Sequence, residues 1–121
     1  MSVLDASAIL AFVQREDGSD AVEAALSEKP RCGAANWSEV AQKVLIAGRD
    51  WYLVRALLES YKIAIEPVDS EDAEWATRRW RCGEGLSLAD RLCLALAYRV
   101  DAEVLTADVK WSSSGRVRQI R

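Results

Sequence analysis

Short apolar segments alternate with helical segments along the whole chain, and this alternation constrains the fold more than any other feature. The expected strands are Val3-Leu4, a short segment within Arg31 to Ala35, Ile63 to Ile65, Val104 to Thr106 and Val117 to Ile120. The expected helices are Ala6 to Val13, Ser19 to Leu26, Asn36 to Gly48, Asp50 to Leu58, Ser70 to Arg81 and Leu88 to Ala97. Such an alternation is typical of a parallel sheet with helices on both faces. We therefore expect an α/β fold with three layers, α/β/α, around a central short parallel sheet.

The length of 121 residues is that of one domain with a core of its own. Half of the residues are hydrophobic, and no repeat or flexible linker divides the chain, so we expect a single domain over residues 1–121. No apolar segment approaches the length of a membrane span. Asp5 lies inside the apolar N-terminal run and no basic residue precedes that run, which argues against a signal peptide. We expect no contact with a membrane.

The absence of histidine removes the commonest general base and the commonest transition-metal ligand. Any catalysis must therefore use carboxylates, hydroxyls, Lys or Arg, or a hard metal ion held by oxygen atoms. The net charge of −3 excludes a generally basic nucleic-acid coat protein but permits a local basic face. Cys32, Cys82 and Cys93 are odd in number and lack C-x-x-C spacing, so they predict neither a disulfide framework nor a zinc site. A reduced, cytoplasmic location fits this cysteine usage best.

Four carboxylates occur where strands end or helices begin. Asp5 directly follows the first strand, Asp108 follows the fourth, and Glu39 and Asp90 fall in the first turns of expected helices. Strand ends and helix starts share one edge of a parallel sheet, so these side chains should approach one another. Clustered carboxylates repel, and burying them without a cation costs free energy. The pattern therefore predicts a site for Mg²⁺ or Mn²⁺, which prefer oxygen ligands.

Each acid except Asp5 also has a simple structural interpretation. Glu39 stands three residues after Asn36, and Asp90 three residues after Ser87, which is the spacing of a capping box. A negative charge there favours the helix dipole whether or not a metal binds. Asp108 could equally be an ordinary turn residue. Capping and metal binding thus stay open as alternatives for Glu39 and Asp90, whereas a charge within the apolar run at Asp5 needs another reason.

Four short motifs follow one another: Val3-Leu4-Asp5-Ala6-Ser7-Ala8, Trp37-Ser38-Glu39-Val40, Leu86-Ser87-Leu88-Ala89-Asp90, and Leu105-Thr106-Ala107-Asp108 with Trp111. In this order they resemble the motifs of PIN domains, and within these the VapC-like toxins of bacterial and archaeal toxin–antitoxin pairs. The closing Val117-Arg118-Gln119-Ile120-Arg121 is also similar, so the resemblance spans the whole chain. The chain departs from the family by being compact near Ser112-Ser113-Ser114, where the family has a last helical turn.

The resemblance implies a Mg²⁺- or Mn²⁺-dependent endoribonuclease that cuts RNA, is inhibited by a cognate VapB-like antitoxin and often forms a homodimer. Carried over by position, the catalytic and metal-binding residues are Asp5, Glu39, Asp90 and Asp108, with Ser7 and Thr106 as polar support. We expect the antitoxin to cover apolar faces of the helices from Ser19 to Leu26 and from Asn36 to Leu58. Candidates for phosphate contacts are Arg15, Lys43, Arg91 and Lys110, and Trp37 and Trp111 either stack on bases or pack in the core or an interface.

Other classes of protein also place an aspartate after a buried first strand. A haloacid-dehalogenase-like phosphatase has a second aspartate two residues later, where this chain has Ser7. A receiver-like signalling module accepts a phosphoryl group beside Mg²⁺, but it carries its acids on strands and loops and has a lysine after a late strand. Here Glu39 and Asp90 fall in expected helices, and that lysine is missing. A PIN fold that only binds a partner is the third alternative, and the four acids argue against it.

Overall fold

The computed structural model describes every residue from Met1 to Arg121. Its strands are β1 (Ser2–Leu4), β2 (Pro30–Gly33), β3 (Ala64–Glu66), β4 (Glu103–Thr106) and β5 (Val117–Gln119). Its helices are α1 (Ala6–Val13), α2 (Ser19–Leu26), α3 (Ala34–Ile46), α4 (Trp51–Ser60), α5 (Ser70–Arg78) and α6 (Leu88–Val100), and a single 3₁₀ turn spans Val109–Trp111. The strands form one sheet in the order β3-β2-β1-β4-β5, with every neighbouring pair parallel. The predicted short parallel sheet is confirmed, with β5 at one edge.

Both faces of the sheet carry a hydrophobic core, because successive side chains of a strand point to opposite faces. On one face Leu4 of β1 and Leu105 of β4 pack with apolar residues of α1 to α4. On the other face Val3 and Val104 pack with residues of α6, whose middle part is fully buried. Helices therefore cover the sheet from both sides, which confirms the three layers. None of the helices combines the length and the hydrophobicity needed to cross a membrane.

The strand order places a switch point between β1 and β4. The chain builds the sheet outward from β1 through β2 to β3, then returns and adds β4 on the other side of β1. In open sheets of this kind, ligands bind in the crevice outside the carboxyl ends of the strands at such a point. Asp5 follows β1 directly, and Thr106 is the last residue of β4, so both lie at this crevice.

Helix α3 begins at Ala34 rather than at Asn36, so the predicted capping box of Asn36 with Glu39 is wrong. The N-cap is Gly33, the last residue of β2, whose backbone is extended with φ −68° and ψ 148°. The chain passes from strand to helix at this residue, where a Cβ atom would lie only 3.2 Å from the Asn36 Oδ1 atom. Asn36 is therefore inside the first turn and buried, and Glu39 lies in the second turn.

Two further details differ from the sequence-based prediction. The sequence pattern predicts Ser19 as the N-cap of α2, but the N-cap is Gly18, which has φ 92° and makes no side-chain hydrogen bond. A side chain at Gly18 would also collide with the Ile120 carbonyl oxygen, 2.7 Å from an added Cβ atom. The sequence pattern also predicts Trp80 on the inward side of the helix from Ser70 to Arg81, but α5 ends at Arg78 and Trp80 is 57% exposed. The end of α5 thus presents an aromatic ring and arginines to solvent.

Candidate active site

Asp5 is the most constrained charged residue of the crevice. It is the N-cap of α1, and its Oδ1 atom accepts a hydrogen bond of 2.8 Å from the backbone N–H of Ala8. Its side chain and backbone are buried, with only 3% of the residue exposed. Burial raises the pKa of Asp5 from 3.8 to about 6, although its hydrogen bonds with Thr106, Ala8 and Ser7 act in the opposite direction. The fold therefore holds a carboxylate where its ionised form is disfavoured.

Two hydroxyl groups hold the Asp5 carboxylate, and both were expected as polar support. Thr106 Oγ1 donates to Asp5 Oδ2 over 2.6 Å, and Ser7 Oγ lies 2.8 Å from Oδ1. Each hydroxyl oxygen accepts a backbone N–H in turn: Ala107 N–H donates to Ser7 and Asp108 N–H to Thr106. With their oxygens so occupied, both hydroxyl protons are directed toward Asp5. The network joins the end of β1 to the end of β4 and fixes the carboxylate in one orientation.

Glu39 is oriented by a residue that sequence reasoning took for a helix cap. Asn36 is 1% exposed, and its Nδ2 group lies 3.4 Å both from Glu39 Oε1 and from the Ala89 carbonyl oxygen at the start of α6. Asn36 thereby links the Glu39 side chain to the helix that carries Asp90. The sequence contains a signal for this contact: Asn36 lies three residues before Glu39, and residues three apart share a helix face.

Asp90 both caps α6 and acts electrostatically on the other acids. Its Oδ2 atom accepts the Ser87 N–H over 2.9 Å, and the Ser87 hydroxyl oxygen accepts the Asp90 N–H over 3.1 Å, so the predicted capping box is confirmed. The charge of Asp90 also contributes to raising the pKa of Asp5 and of Glu39. At Glu39 burial is the larger cause, and Lys43 partly offsets it. Asp90 therefore lies within electrostatic range of both Asp5 and Glu39.

Asp108 occupies the same edge but directs its carboxylate elsewhere. Its Oδ1 atom accepts the Lys110 N–H over 2.9 Å and so caps the 3₁₀ turn. The pKa shifts of Asp5 and Glu39 have no contribution from Asp108. Its backbone is nevertheless tied to the Asp5 network through Thr106. The structure thus brings Asp90 into electrostatic range of Asp5 and of Glu39, whereas the Asp108 carboxylate caps the 3₁₀ turn instead.

The acids provide the oxygen atoms that a hard divalent cation prefers, but their side chains are not arranged around a common point. No group of three or more Asp, Glu or Cys side chains is arranged to hold a metal ion as the side chains stand. The cluster consists of oxygen donors, however, and both Asp5 and Glu39 have raised pKa values because they are buried near a further negative charge. A bound cation would remove that electrostatic cost.

The remaining candidates play smaller parts. Burial raises the pKa of the Cys32 and Cys93 thiols, so both stay protonated and inert near the acids. Arg91 donates to the Ala76 carbonyl oxygen and links α6 to α5.

Trp37 packs edge-to-face against Trp51 at 5.1 Å, at the margin of the core. Trp111 is 4% exposed within the second core. Packing, rather than base stacking, therefore accounts for both predicted tryptophans.

Comparison with protein families gives one clear match. The family model described as PIN domain matches residues 2–116. Two named relatives are the VapC ribonuclease Mb2780c of Mycobacterium bovis and the ribonuclease VapC42 of Mycobacterium tuberculosis. Each is 34% identical over 103 residues, which cover 79% of this chain and 77% of the relative. Residues 2–116, which the PIN domain model matches, include strands β1 to β4 and all four predicted acids.

Solved structures with the same fold include toxins of toxin–antitoxin pairs. A toxin–antitoxin complex from Klebsiella pneumoniae aligns with a TM-score of 0.82 at 17% identity and covers 100% of this chain and 98% of that chain. VapC20 of Mycobacterium tuberculosis, described as a sarcin-ricin loop cleaving toxin, aligns with a TM-score of 0.76 at 15% identity and covers 97% of both chains. At such low identities these likenesses concern the fold alone.

Proposed function

The chain belongs to the PIN domain family, and from that premise we propose that it is a ribonuclease toxin of a toxin–antitoxin pair. The reaction is hydrolysis of phosphodiester bonds in RNA at the crevice between β1 and β4. The observation that carries the proposal is the buried Asp5, held by two hydroxyl groups and lying near Glu39 and Asp90. A chain without histidine has no better placed group for this chemistry.

PIN-domain ribonucleases are generally dependent on divalent metal ions. Our proposal for this chain is Mg²⁺ or Mn²⁺, with Asp5, Glu39 and Asp90 as ligands and Asp108 completing the set from the end of β4. Ser7 and Thr106 orient Asp5, and Asn36 orients Glu39. A divalent cation supplies what these side chains lack, namely activation of water at neutral pH and positive charge opposite the scissile phosphate. The protein contributes a partly buried set of carboxylate oxygen atoms, of which those of Asp5 are held by hydrogen bonds.

The competing interpretations have less support. The PIN domain model matches residues 2–116, which is nearly the whole chain. This match favours a PIN domain over a receiver-like module or a phosphatase. The second aspartate of a phosphatase is replaced by Ser7, whose hydroxyl hydrogen-bonds to Asp5 instead. Both oxygen atoms of Asp5 already accept hydrogen bonds, which suits a fixed ligand better than an attacking nucleophile.

We expect purified protein to cut RNA only when Mg²⁺ or Mn²⁺ is present. The reason is that the buried acids provide oxygen ligands but no histidine that could act as a general base. Single-stranded and structured RNAs should be incubated with each ion and with excess EDTA, and the products resolved by electrophoresis. Cleavage that survives EDTA would contradict the proposed chemistry. Absence of cleavage together with acyl phosphate on Asp5 would favour the phosphatase or receiver interpretation.

The antitoxin is the proposed partner, and the structure offers it an apolar surface on α3 and α4. The residues that form it are between 45% and 77% exposed: Leu45, Ile46, Tyr52, Leu53 and Leu57. An exposed patch of large apolar side chains is typical of a protein interface. The larger apolar residues of α2, Val22 and Leu26, were also expected at this interface but are buried inside the monomer together with Ala25. We therefore limit the proposed antitoxin surface to α3 and α4.

Leu53→Glu should weaken the antitoxin complex by at least tenfold, because a charge replaces an apolar contact in an interface. Cleavage by the free toxin should not change, since Leu53 is 70% exposed and belongs to neither the acids nor the residues that hydrogen-bond to them. Val68→Glu is a matched control, because Val68 is 43% exposed and lies outside α3 and α4. Affinity for the co-expressed antitoxin is the measurement. Unchanged affinity combined with loss of a homodimer would assign this surface to a second copy of the chain.

A further inference from the structure

A cavity of about 290 Å³ lies on the α5 and α6 side of the sheet, next to the segment that leads into β5. Its lining includes three arginines and three aromatic residues, and no acidic residue lines it. These six residues are Arg79, Arg81, Arg116, Trp75, Tyr98 and Trp111. The lining is therefore cationic and aromatic, although the whole chain has a net charge of −3. None of them takes part in the proposed chemistry.

The arginines differ in how far they are already paired. Arg79 forms two hydrogen bonds with Glu84, of 2.7 and 2.9 Å, and Arg116 lies 2.7 Å from Asp101. Arg81 is the freest, since its nearest carboxylate oxygen, on Glu84, is 4.0 Å away and its side chain is 68% exposed. Arg81 can therefore take an anionic ligand without breaking a close ion pair.

The aromatic wall supplies the second half of the site. The rings of Trp75 and Tyr98 lie 5.7 Å apart at an angle of 30°, and the Arg116 guanidinium is 6.0 Å from the Tyr98 ring centre. Tyr98 is 60% exposed, so part of this wall is open to solvent. The indole N–H of Trp111 is buried and has no hydrogen-bond acceptor. A ligand with a planar ring and hydrogen-bond acceptors would match these features.

Two residues that line the cavity are close in sequence to the acids. Leu86, one of its lining residues, lies four residues before Asp90, and Trp111 lies three residues after Asp108. Single-stranded RNA is commonly bound by aromatic side chains that stack on bases and by arginines that contact phosphates. We propose that this cavity holds one nucleotide of a single-stranded RNA segment that flanks the cleavage site. Its base packs against Tyr98, and its phosphate contacts Arg81. The inference rests on the proposed ribonuclease function.

Binding of a fluorescent single-stranded RNA of about eight nucleotides to the full chain in EDTA tests this inference without cleavage. Arg81→Ala should weaken binding and lower the slope of log affinity against log salt by about 0.7, the effect of one lost phosphate contact. Tyr98→Ala should weaken binding about fivefold or more at an unchanged slope, because a stacking contact is lost. The matched control is Arg55→Ala, because Arg55 lies in α4, does not line the cavity and has a side chain that is 51% exposed.

The outcomes separate this inference from the proposed function. If wild type cuts RNA with Mn²⁺ but both cavity variants bind like wild type, the cavity does not hold RNA and the ribonuclease proposal stands. If wild type neither cuts nor binds RNA, the proposed function fails and the inference fails with it. Preference of wild type for poly-glutamate over RNA, lost in Arg81→Ala, would assign the cavity to an acidic protein segment and overturn the inference.

Discussion

Asp5→Asn is expected to raise the melting temperature of the metal-free protein at neutral pH and to abolish RNA cleavage. Burial raises the pKa of Asp5 from 3.8 to about 6, and a shift of this size corresponds to roughly 3 kcal/mol of destabilisation when the carboxyl is ionised. An asparagine oxygen can still accept the Ala8 N–H, but the bond from Thr106 is lost at a cost of about 1 kcal/mol. The net gain is therefore about 1–2 kcal/mol. Loss of a proposed metal ligand should lower cleavage about 100-fold or more.

The stability difference should depend on pH in a defined direction. Because the pKa of Asp5 is higher in the folded state, the folded protein binds the proton more tightly, and ionisation penalises folding. The penalty is absent below about pH 4, grows between pH 4 and 6, and is fully present above pH 6. Wild type should thus lose stability relative to Asp5→Asn as the pH rises through this window.

Thermal melts of both proteins in EDTA at several values between pH 4 and 7.5 provide the measurement. Glu28→Gln is the matched control, since Glu28 is exposed and makes no side-chain contact with the site. A difference between wild type and Asp5→Asn that stays constant across the window would show that the carboxyl is not held in a disfavoured state. A lower melting temperature of Asp5→Asn at pH 7.5 would show that the hydrogen bonds outweigh the charge.

Asp90→Asn separates the two physical roles that this residue combines. As a cap, Asp90 contributes about 0.3–1 kcal/mol through the helix dipole, and an asparagine oxygen can still accept the Ser87 N–H. As a neighbour of Asp5 and Glu39, it raises their pKa values and so destabilises the metal-free protein. We expect the relief of repulsion to outweigh the lost charge at the cap. The variant should melt higher than wild type in EDTA, show a smaller upward shift with excess Mg²⁺, and lack cleavage.

Asp50→Asn is the matched control for Asp90→Asn. Asp50 caps α4 by accepting hydrogen bonds from the N–H groups of Tyr52 and Leu53, and it lies outside the candidate active site. Its replacement should lower the melting temperature slightly and equally with and without Mg²⁺. If Asp90→Asn melts lower in EDTA yet keeps the full wild-type shift with Mg²⁺, then Asp90 is only a cap and the metal-ligand assignment fails.

The sequence by itself determined the architecture and the position of Asp5. Alternating strand and helix patterns predict a parallel sheet with helices on both faces, because each pattern depends on residues that are neighbours along the chain. The Ser87 and Asp90 capping box was predictable for the same reason, since its two hydrogen bonds join residues three apart. Asp5 was identified because a charge inside an apolar run has few local explanations.

Only the tertiary structure decided how the acids are oriented. Asn36 appeared to be a cap, but the chain enters α3 at Gly33, and Asn36 instead reaches Glu39 and a carbonyl group 53 residues away. Asp108 looked equivalent to the other acids, yet its carboxylate turns to the Lys110 N–H. The cavity beside α5 likewise joins residues as distant as Trp75 and Arg116. These features depend on contacts between remote segments, and such contacts form only after the sheet and its helices have packed.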